Sequence, residues 1–244
     1  MNDQVTHWDR LSIHPIDASV LDPNDRRGHK NRYITELRNQ AIVRALQPTV
    51  STSPVLDFGC GTGGVSSAIE NSGRMVVGVD ISAGLLRRTS ERNCKDGVLF
   101  LQYDGTRLPI QNESIAAAVT YVVLNHILDD AQLLFAIAEI RRVLKPGGRF
   151  IAIEQVRSRQ TLDEIVWQRR RTISEFESLF TAVGFVVSAT QIIRYGHSPV
   201  IYAVQCGLLP HPLYNRLFQL ERTLGRWLGV MPWDYSDVMF PLKK

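Results

Sequence analysis

Val55-Leu56-Asp57-Phe58-Gly59-Cys60-Gly61-Thr62-Gly63-Gly64 decides how this chain is read. A short apolar strand breaks into a glycine loop, and Val65 to Asn71 then opens a helix. Gly59, Gly61 and Gly63 lack Cβ atoms, so the backbone turns sharply and a ligand can press against main-chain N–H groups. Such a unit holds a nucleotide-like ligand at the carboxyl end of its strand. Two patterns fit: G-x-G-x-x-G of dinucleotide sites through Gly59, Gly61 and Gly64, and G-x-G-x-G through Gly59, Gly61 and Gly63. Glycines alone do not separate them, because parallel sheets also turn on glycine with no nucleotide nearby.

Three acidic residues do. Asp57 precedes the loop, Asp80 ends Met75-Val76-Val77-Gly78-Val79-Asp80, and Asp104 follows Val98-Leu99-Phe100-Leu101-Gln102-Tyr103. Each sits where an apolar run stops, which predicts that all three project from one edge of a parallel sheet. Asp80 lies about 20 residues beyond the glycines, where a carboxylate accepts ribose hydroxyls. In an NAD enzyme Asp57 would face a diphosphate. S-adenosylmethionine (SAM) brings a sulfonium and an ammonium there instead, and the Coulomb term changes sign. Asp104 is placed to accept from an adenine amino group.

The segments VLDFGCGTGG, VVGVDIS, YDGTRLPIQNESI and RRVLKPGGRF, in this order and spacing, resemble the class I SAM-dependent methyltransferases over about residues 30 to 194. The resemblance implies a doubly wound, mostly parallel α/β sheet of seven strands, Rossmann-like, with helices on both faces and an antiparallel last strand. It also implies that Asp57, Gly59, Cys60 and Gly61 hold the methionine part of SAM and Asp80 the ribose. Ile81 would then lie against the adenine, and Asp104 and Gly105 at its edge. By the same analogy a helix beginning Gly28-His29-Lys30-Asn31-Arg32-Tyr33 covers the methionine carboxylate through Lys30, Arg32 or Tyr33, the alternative being surface residues of a capped helix. One departure is visible: the strand Ile115 to Tyr121 often starts with an acidic residue in the family and here reads Ala116-Ala117-Ala118.

Composition agrees with one α/β core. The chain has 244 residues, 44% of them hydrophobic, and a net charge of +4. No apolar stretch approaches the roughly 20 residues that span a bilayer, and the amino terminus lacks a basic-then-apolar leader pattern. Cys60, Cys94 and Cys206 are few and scattered, so a reducing, cytoplasmic setting and no metal site are expected. The basic runs Arg169-Arg170-Arg171, Arg141-Arg142 and Arg26-Arg27 read as solvated helix faces, with an anionic acceptor as the functional alternative. Aromatic residues do not interleave with them, which argues against nucleic acid.

Along the chain, residues 1–28 read as an irregular arm and 29–244 as the SAM-binding domain. Asn31 to Leu46 is helical by its spacing and stops at Pro48. Strand and helix then alternate: Val55–Phe58, Val65–Ser72, Met75–Val79, Ala83–Cys94, Val98–Gln102, Ile115–Tyr121, Asp130–Val143 and Arg149–Glu154, with Lys145-Pro146-Gly147-Gly148 closing a helix. Thr172-Ile173-Ser174-Glu175 offers a capping box for a helix to Val183. Phe185 to Ile193 reads as a strand, and Ser236 to Leu242 as the antiparallel last one. Between them lies an insertion, residues 195–235, in which Leu213, Leu217, Leu220, Leu224 and Trp227-Leu228 recur at helical spacing. It is read as an acceptor lid, with a packed accessory helix, a dimer surface or an interfacial helix as alternatives.

The chemistry asks mainly for alignment, since the methyl group of SAM is already activated. A general base contributes about 10²–10⁴-fold when the acceptor is a hydroxyl. Candidate bases lie at the carboxyl ends of the fourth and fifth strands: His126 and Glu154. The structural alternative for His126 is capping or packing, and Glu154 could instead orient a substrate hydroxyl. Tyr121 is read as lining the methyl channel. The expected reaction is methyl transfer to a small-molecule acceptor, a hydroxyl on a sugar or related metabolite. The tail YGHSPVIYAVQCGLLPHPLYN…WDYSDVMF loosely resembles methyltransferases of bacterial sugar and polysaccharide pathways. A hydrophobic quinone or lipid acceptor, and a SAM-binding subunit without turnover, are the alternatives.

Overall fold

Apolar runs without polar alternation form the centre of a sheet covered on both faces. The computed structural model describes residues 2–14, 21–22, 24–47, 53–92, 97–232 and 234–244. Helices α1 (Asn2–Leu11) and α2 (His29–Leu46) come first. Next are β1 (Val55–Phe58), α3 (Gly64–Glu70), β2 (Val76–Asp80), α4 (Ala83–Arg87), β3 (Val98–Gln102) and β4 (Ile115–Tyr121). Then come α5 (Asp130–Val143), β5 (Leu144–Val156), the hairpin β6 (Thr161–Asp163) and β7 (Gln168–Arg170), and α6 (Ile173–Ala182). The chain continues with β8 (Val186–Val187), β9 (Gln191–Tyr195), α7 (Pro199–Gln205), α8 (Tyr214–Leu228) and β10 (Ser236–Lys243).

The main sheet runs β3-β2-β1-β4-β5-β10, with β8 and β9 both on the outer side of β10. β1 to β5 are parallel, and β10 is antiparallel to β5 over its whole length. This is the expected doubly wound order. The strand expected over Phe185–Ile193 is split into β8 and β9, so eight strands fill seven positions. Pro241 explains the gap. Its carbonyl accepts from the Ser188 N–H on the outer side, where the ring leaves no N–H to donate in return.

Other boundaries also move. Residues 2–11 are helical rather than irregular. α4 stops at Arg87 and gives way to a 3₁₀ turn at Thr89–Arg92; Cys94, like Pro48, lies outside the described residues. Lys145-Pro146-Gly147-Gly148 loops out within β5 instead of closing a helix. Pairing jumps from Ile115–Leu144 to Ala117–Arg149, and Gly147 turns at φ 72°. α5 has its expected bounds, started by the Asp129 carboxylate on the Gln132 N–H. The Thr172–Glu175 capping box starts α6.

β5 alternates between two cores. Phe150 packs with Phe176, Phe180 and Phe240 beneath α5 and α6, whereas Ile151 packs with Tyr33, Ile42 and Phe218 beneath α2, α7 and α8. Of its leucine stripe α8 packs only Leu217 against the core. It buries Tyr214, Phe218, Glu221 and Gly225. Gly225 sits so close to β9 that an added Cβ would lie 2.8 Å from the Ile192 Cβ, and Tyr33 meets Phe218 at a ring separation of 5.0 Å. Close approach and aromatic fit therefore override the count of leucines.

Beside this core a buried ion pair links β9 to β10. Arg194 Nε donates to Asp237 Oδ2 at 2.8 Å, and the Tyr121 hydroxyl donates to the same oxygen at 3.2 Å. Arg194→Met should destabilise the fold by about 3–5 kcal/mol, because Asp237 is left charged and unpaired in the interior. Arg194→Met combined with Asp237→Leu should recover most of that loss. Urea unfolding of the three proteins measures both effects; a double variant no better than the single would show that the pair's geometry, not its charge balance, matters.

Candidate active site

The glycine loop turns at positive φ at Gly59, Gly61 and Gly63, with values of 74°, 54° and 80°. A Cβ on Gly59 would stand 2.4 Å from a Val123 methyl, so only glycine lets this loop lie against the turn that follows β4. The Gly59 and Cys60 N–H groups both donate to the Val79 carbonyl, which ties the loop to β2. Asp80 completes the tie: Oδ2 accepts from the Gly61 N–H at 2.8 Å and Oδ1 from the Ser82 N–H at 2.9 Å. Asp57 lies buried under the loop, its Oδ2 accepting from the Ser66 hydroxyl at 2.6 Å.

Burial pushes both carboxyls up to about 6. Hydrogen bonds oppose the rise at each, and Arg38 opposes it at Asp57; each carboxylate also has an acidic neighbour, Asp80 for Asp57 and Asp9 for Asp80. The Gly61 N–H, the donor a phosphate would need, is already bonded to a carboxylate. A buried pair of acids is unfavourable for a diphosphate and favourable for a sulfonium and an ammonium. Thus the residues present fit SAM: Asp57 and the loop for its cationic end, Asp80 for the ribose.

One cavity opens beside these groups. Of the residues singled out from sequence, Gly59, Gly61, Asp80, Ile81, Gly105, Tyr121 and His126 line it. Its remaining wall is largely apolar, including Val123, Ile127 and Ala136. The roof is α1. Gln4 Nε2 donates to the His126 carbonyl at 2.9 Å, and Trp8 meets the His126 ring edge-on at 4.8 Å. Asp9 Oδ1 accepts from the Ser82 hydroxyl at 2.5 Å and the Gly84 N–H at 2.9 Å, and Arg88 holds the carbonyls of Ser12 and His14. Sequence reasoning missed this roof. Its signal is Val5, Trp8 and Leu11, a three-residue spacing within a polar segment. No residue from 195–235 lines the cavity among those described.

His126 is held in one tautomer. Its Nδ1 lies 2.7 Å from the Trp167 carbonyl, which can only accept, so Nδ1 carries the hydrogen and the neutral ring keeps its lone pair on Nε2. Burial lowers its pKa to about 4; the Trp167 bond opposes this, while His7 and Arg170 add to it. Two positive-φ residues serve the same turn: Val122 at 53° and Trp167 at 50°. For a β-branched residue such as Val122 that conformation costs on the order of 1–3 kcal/mol. The neighbouring Val122 N–H bond to the Ile153 carbonyl, 2.7 Å, holds it in place.

Glu154 does not face the cavity. It is fully buried and accepts three backbone N–H groups, from Val123 at 3.1 Å, Leu124 at 3.0 Å and Asn125 at 3.2 Å. Burial pushes its carboxyl up to about 8, against the pull of those N–H groups and Arg171. It positions the turn that carries His126 and does not reach a substrate. Arg171 supports the turn from the other side, donating to the Ile127 carbonyl at 3.1 Å and to Asp130 at 2.7 Å. Of the run Arg169-Arg170-Arg171, the first two lie half-buried in β7 and Arg171 is buried just after it, so the run is not a solvated helix face.

The residues expected over the methionine carboxylate lie elsewhere. Tyr33 is core, its hydroxyl donating to Glu221 at 2.9 Å. Lys30 pairs with Asp22, and Arg32 with Glu36. Instead Arg38, one helical turn on from Ile34, is buried over the Tyr121 ring and acts on Asp57. Cys60 is buried and turned toward Gly78 of β2. Asp104 is exposed, its Oδ1 taken by the Thr106 N–H and hydroxyl, and Gly105 alone represents that motif in the cavity wall.

Residues 56–152 match a family model described as a methyltransferase domain. The chain is 35% identical over 120 residues to a demethylmenaquinone methyltransferase of Clavibacter sepedonicus, covering 49% of this chain and 47% of that protein. It is 26% identical over 202 residues to a probable S-adenosylmethionine-dependent methyltransferase of Mycolicibacterium smegmatis, covering 81% and 73%. The chain thus spans about half the length of the first of these relatives. Among solved structures it resembles geranyl diphosphate C-methyltransferase from Streptomyces coelicolor, with TM-score 0.67 and 16% identity over 99% of this chain and 96% of that one. These structural likenesses show the fold. The matched segment is the one that carries the glycine loop, both buried carboxylates and the His126 turn, so the chain holds a methyltransferase domain similar to those of the S-adenosylmethionine-dependent methyltransferases.

Proposed function

We propose that this chain methylates a hydroxyl-bearing, largely apolar acceptor, with His126 as general base. The single observation behind this reading is the His126 ring, locked with its Nε2 lone pair free of hydrogen in an apolar cavity that adjoins Asp80. When bound, SAM supplies an electrophilic methyl group on a sulfonium. The chain's own part is to hold the acceptor beside that group, exclude water and take a proton at His126 Nε2. As the ring gains that proton, the Trp167 carbonyl stabilises the positive charge through Nδ1–H.

The wall chemistry bears on the acceptor. Trp8, Tyr121, Val123, Ile127 and Ala136 offer contact area and few hydrogen bonds, and the Gln4 amide is engaged with the His126 carbonyl. A sugar would find Gln132 and little else for its hydroxyls, and each polar group buried without a partner costs about 1–3 kcal/mol. A reduced quinone or a related ring with an apolar body meets the wall better. The demethylmenaquinone methyltransferases among the relatives support the same class. A quinol, a simple phenol and a sugar should be compared for S-adenosylhomocysteine release. Turnover confined to the sugar would overturn the acceptor class.

Three outcomes follow from the site. His126→Ala should lower kcat by about 10²–10⁴-fold while SAM affinity measured by calorimetry stays unchanged; an unaltered kcat would remove the base assignment. SAM affinity should be constant above neutrality and fall as pH drops through about 6, because Asp57 and Asp80 then gain protons and lose the charge that attracts the donor. The fall should reach up to about tenfold per pH unit for each carboxylate, and a flat profile down to pH 5 would contradict their role. Glu154→Ala should cost about 3 kcal/mol or more of stability by stranding three buried N–H groups, read as a lower Tm. A fully stable variant would show that the turn is held without it.

A further inference from the structure

α8 turns much of its apolar surface outward. Leu220 is 49% exposed, Leu224 39%, Trp227 83% and Leu228 52%. At 100° per residue these four fall within roughly 100° of one another around the axis, beside the face that docks. Arg216, Arg222 and Arg226 lie on the remaining flank, and Arg44 of α2 adds to them. None of the four arginines forms an ion pair among the described residues. Burial lowers the Arg222 pKa, and the like charges of Arg44 and Arg226 lower it further.

The carboxylates of this region are withdrawn from the surface. From His197 to Tyr235 the sequence holds only Glu221 and Asp234 as acidic residues. Glu221 is 2% exposed and bonded by the Tyr33 and Ser198 hydroxyls; Asp234 is 5% exposed and bonded by His197. The segment therefore exposes leucine, tryptophan and arginine, with neutral polar residues such as Asn215, Gln219 and Thr223 between them, and neither of its own carboxylates. A second copy of the chain fits this face poorly, because a two-fold contact would set the exposed Arg216 and Arg226 of each copy against the other's with no carboxylate of the segment to offset them. A nonpolar slab with an anionic rim suits every group: acyl chains for the leucines, the headgroup level for the Trp227 ring, and phosphates for the guanidiniums.

We propose that α8 is an interfacial helix that seats the protein on an anionic lipid surface through Leu220, Leu224, Trp227 and Leu228, with Arg216 and Arg226 on the headgroups. No helix among the described residues is long and apolar enough to cross a membrane, so the contact is peripheral. The inference stands apart from the acceptor reading, because its readout needs no turnover.

The test is co-sedimentation of the full chain with vesicles of phosphatidylglycerol and phosphatidylcholine, against vesicles of phosphatidylcholine alone. Binding is expected to the anionic vesicles and to weaken in high salt. Replacing Arg216 or Arg226 by Gln should lower partitioning about fivefold each. Leu224→Ser with Trp227→Ser should lower it by roughly tenfold or more, with SAM affinity retained as evidence of folding. Three results would overturn the proposal: no binding to anionic vesicles, equal binding to both vesicle types that the arginine variants leave unchanged, or a dimer in sedimentation velocity that the Leu224→Ser, Trp227→Ser protein loses. The last would assign the face to a second copy.

Discussion

The Asp80 carboxylate is the joint on which the site is assembled. One oxygen holds the Gly61 N–H of the glycine loop, and the other holds the Ser82 N–H that leads into α4. Two connections that leave different strands are thereby fixed to one another at the same edge of the sheet. The charge of this group is poorly solvated, which raises its pKa and leaves it suited to a ligand that brings positive charge and hydroxyl donors together. An alanine here would free the glycine loop from the turn that leads into α4.

A second joint, Glu154, lies three strands across the sheet on β5 and works by the same principle. Three backbone N–H groups converge on it, and the turn they belong to carries His126. Arg171 closes that turn from its other side. The hairpin formed by β6 and β7 then supplies the Trp167 carbonyl that selects the imidazole tautomer. The setting of one imidazole ring thus depends on β5, the hairpin and α1 together.

Much of this was legible from sequence because it rests on backbone necessity. Gly59, Gly61 and Gly63 occupy positive φ, and the acidic residues at strand ends fall along one edge. These are local requirements, and a local pattern records them. Glu154 was recognised as a strand-end carboxylate, yet no pattern shows that three N–H groups fold back onto it from residues about 30 positions earlier. Tyr33 failed for a related reason: its partners, Glu221 and Phe218, lie in a helix nearly 190 residues away. α8 shows a different limit. Its leucine spacing shows a helix but not which face docks, because Gly225 and two aromatic residues set how closely it can approach.

Ser82 joins two of these systems. Its N–H answers to Asp80, while its hydroxyl answers to Asp9 on α1. A displacement of Asp80 is therefore passed through Ser82 to Asp9 on the roof, and a shift of the roof is felt by Asp80. Such coupling runs equally in both directions, so the placement of α1 over the cavity and the setting of the Asp80 carboxylate are mechanically one system.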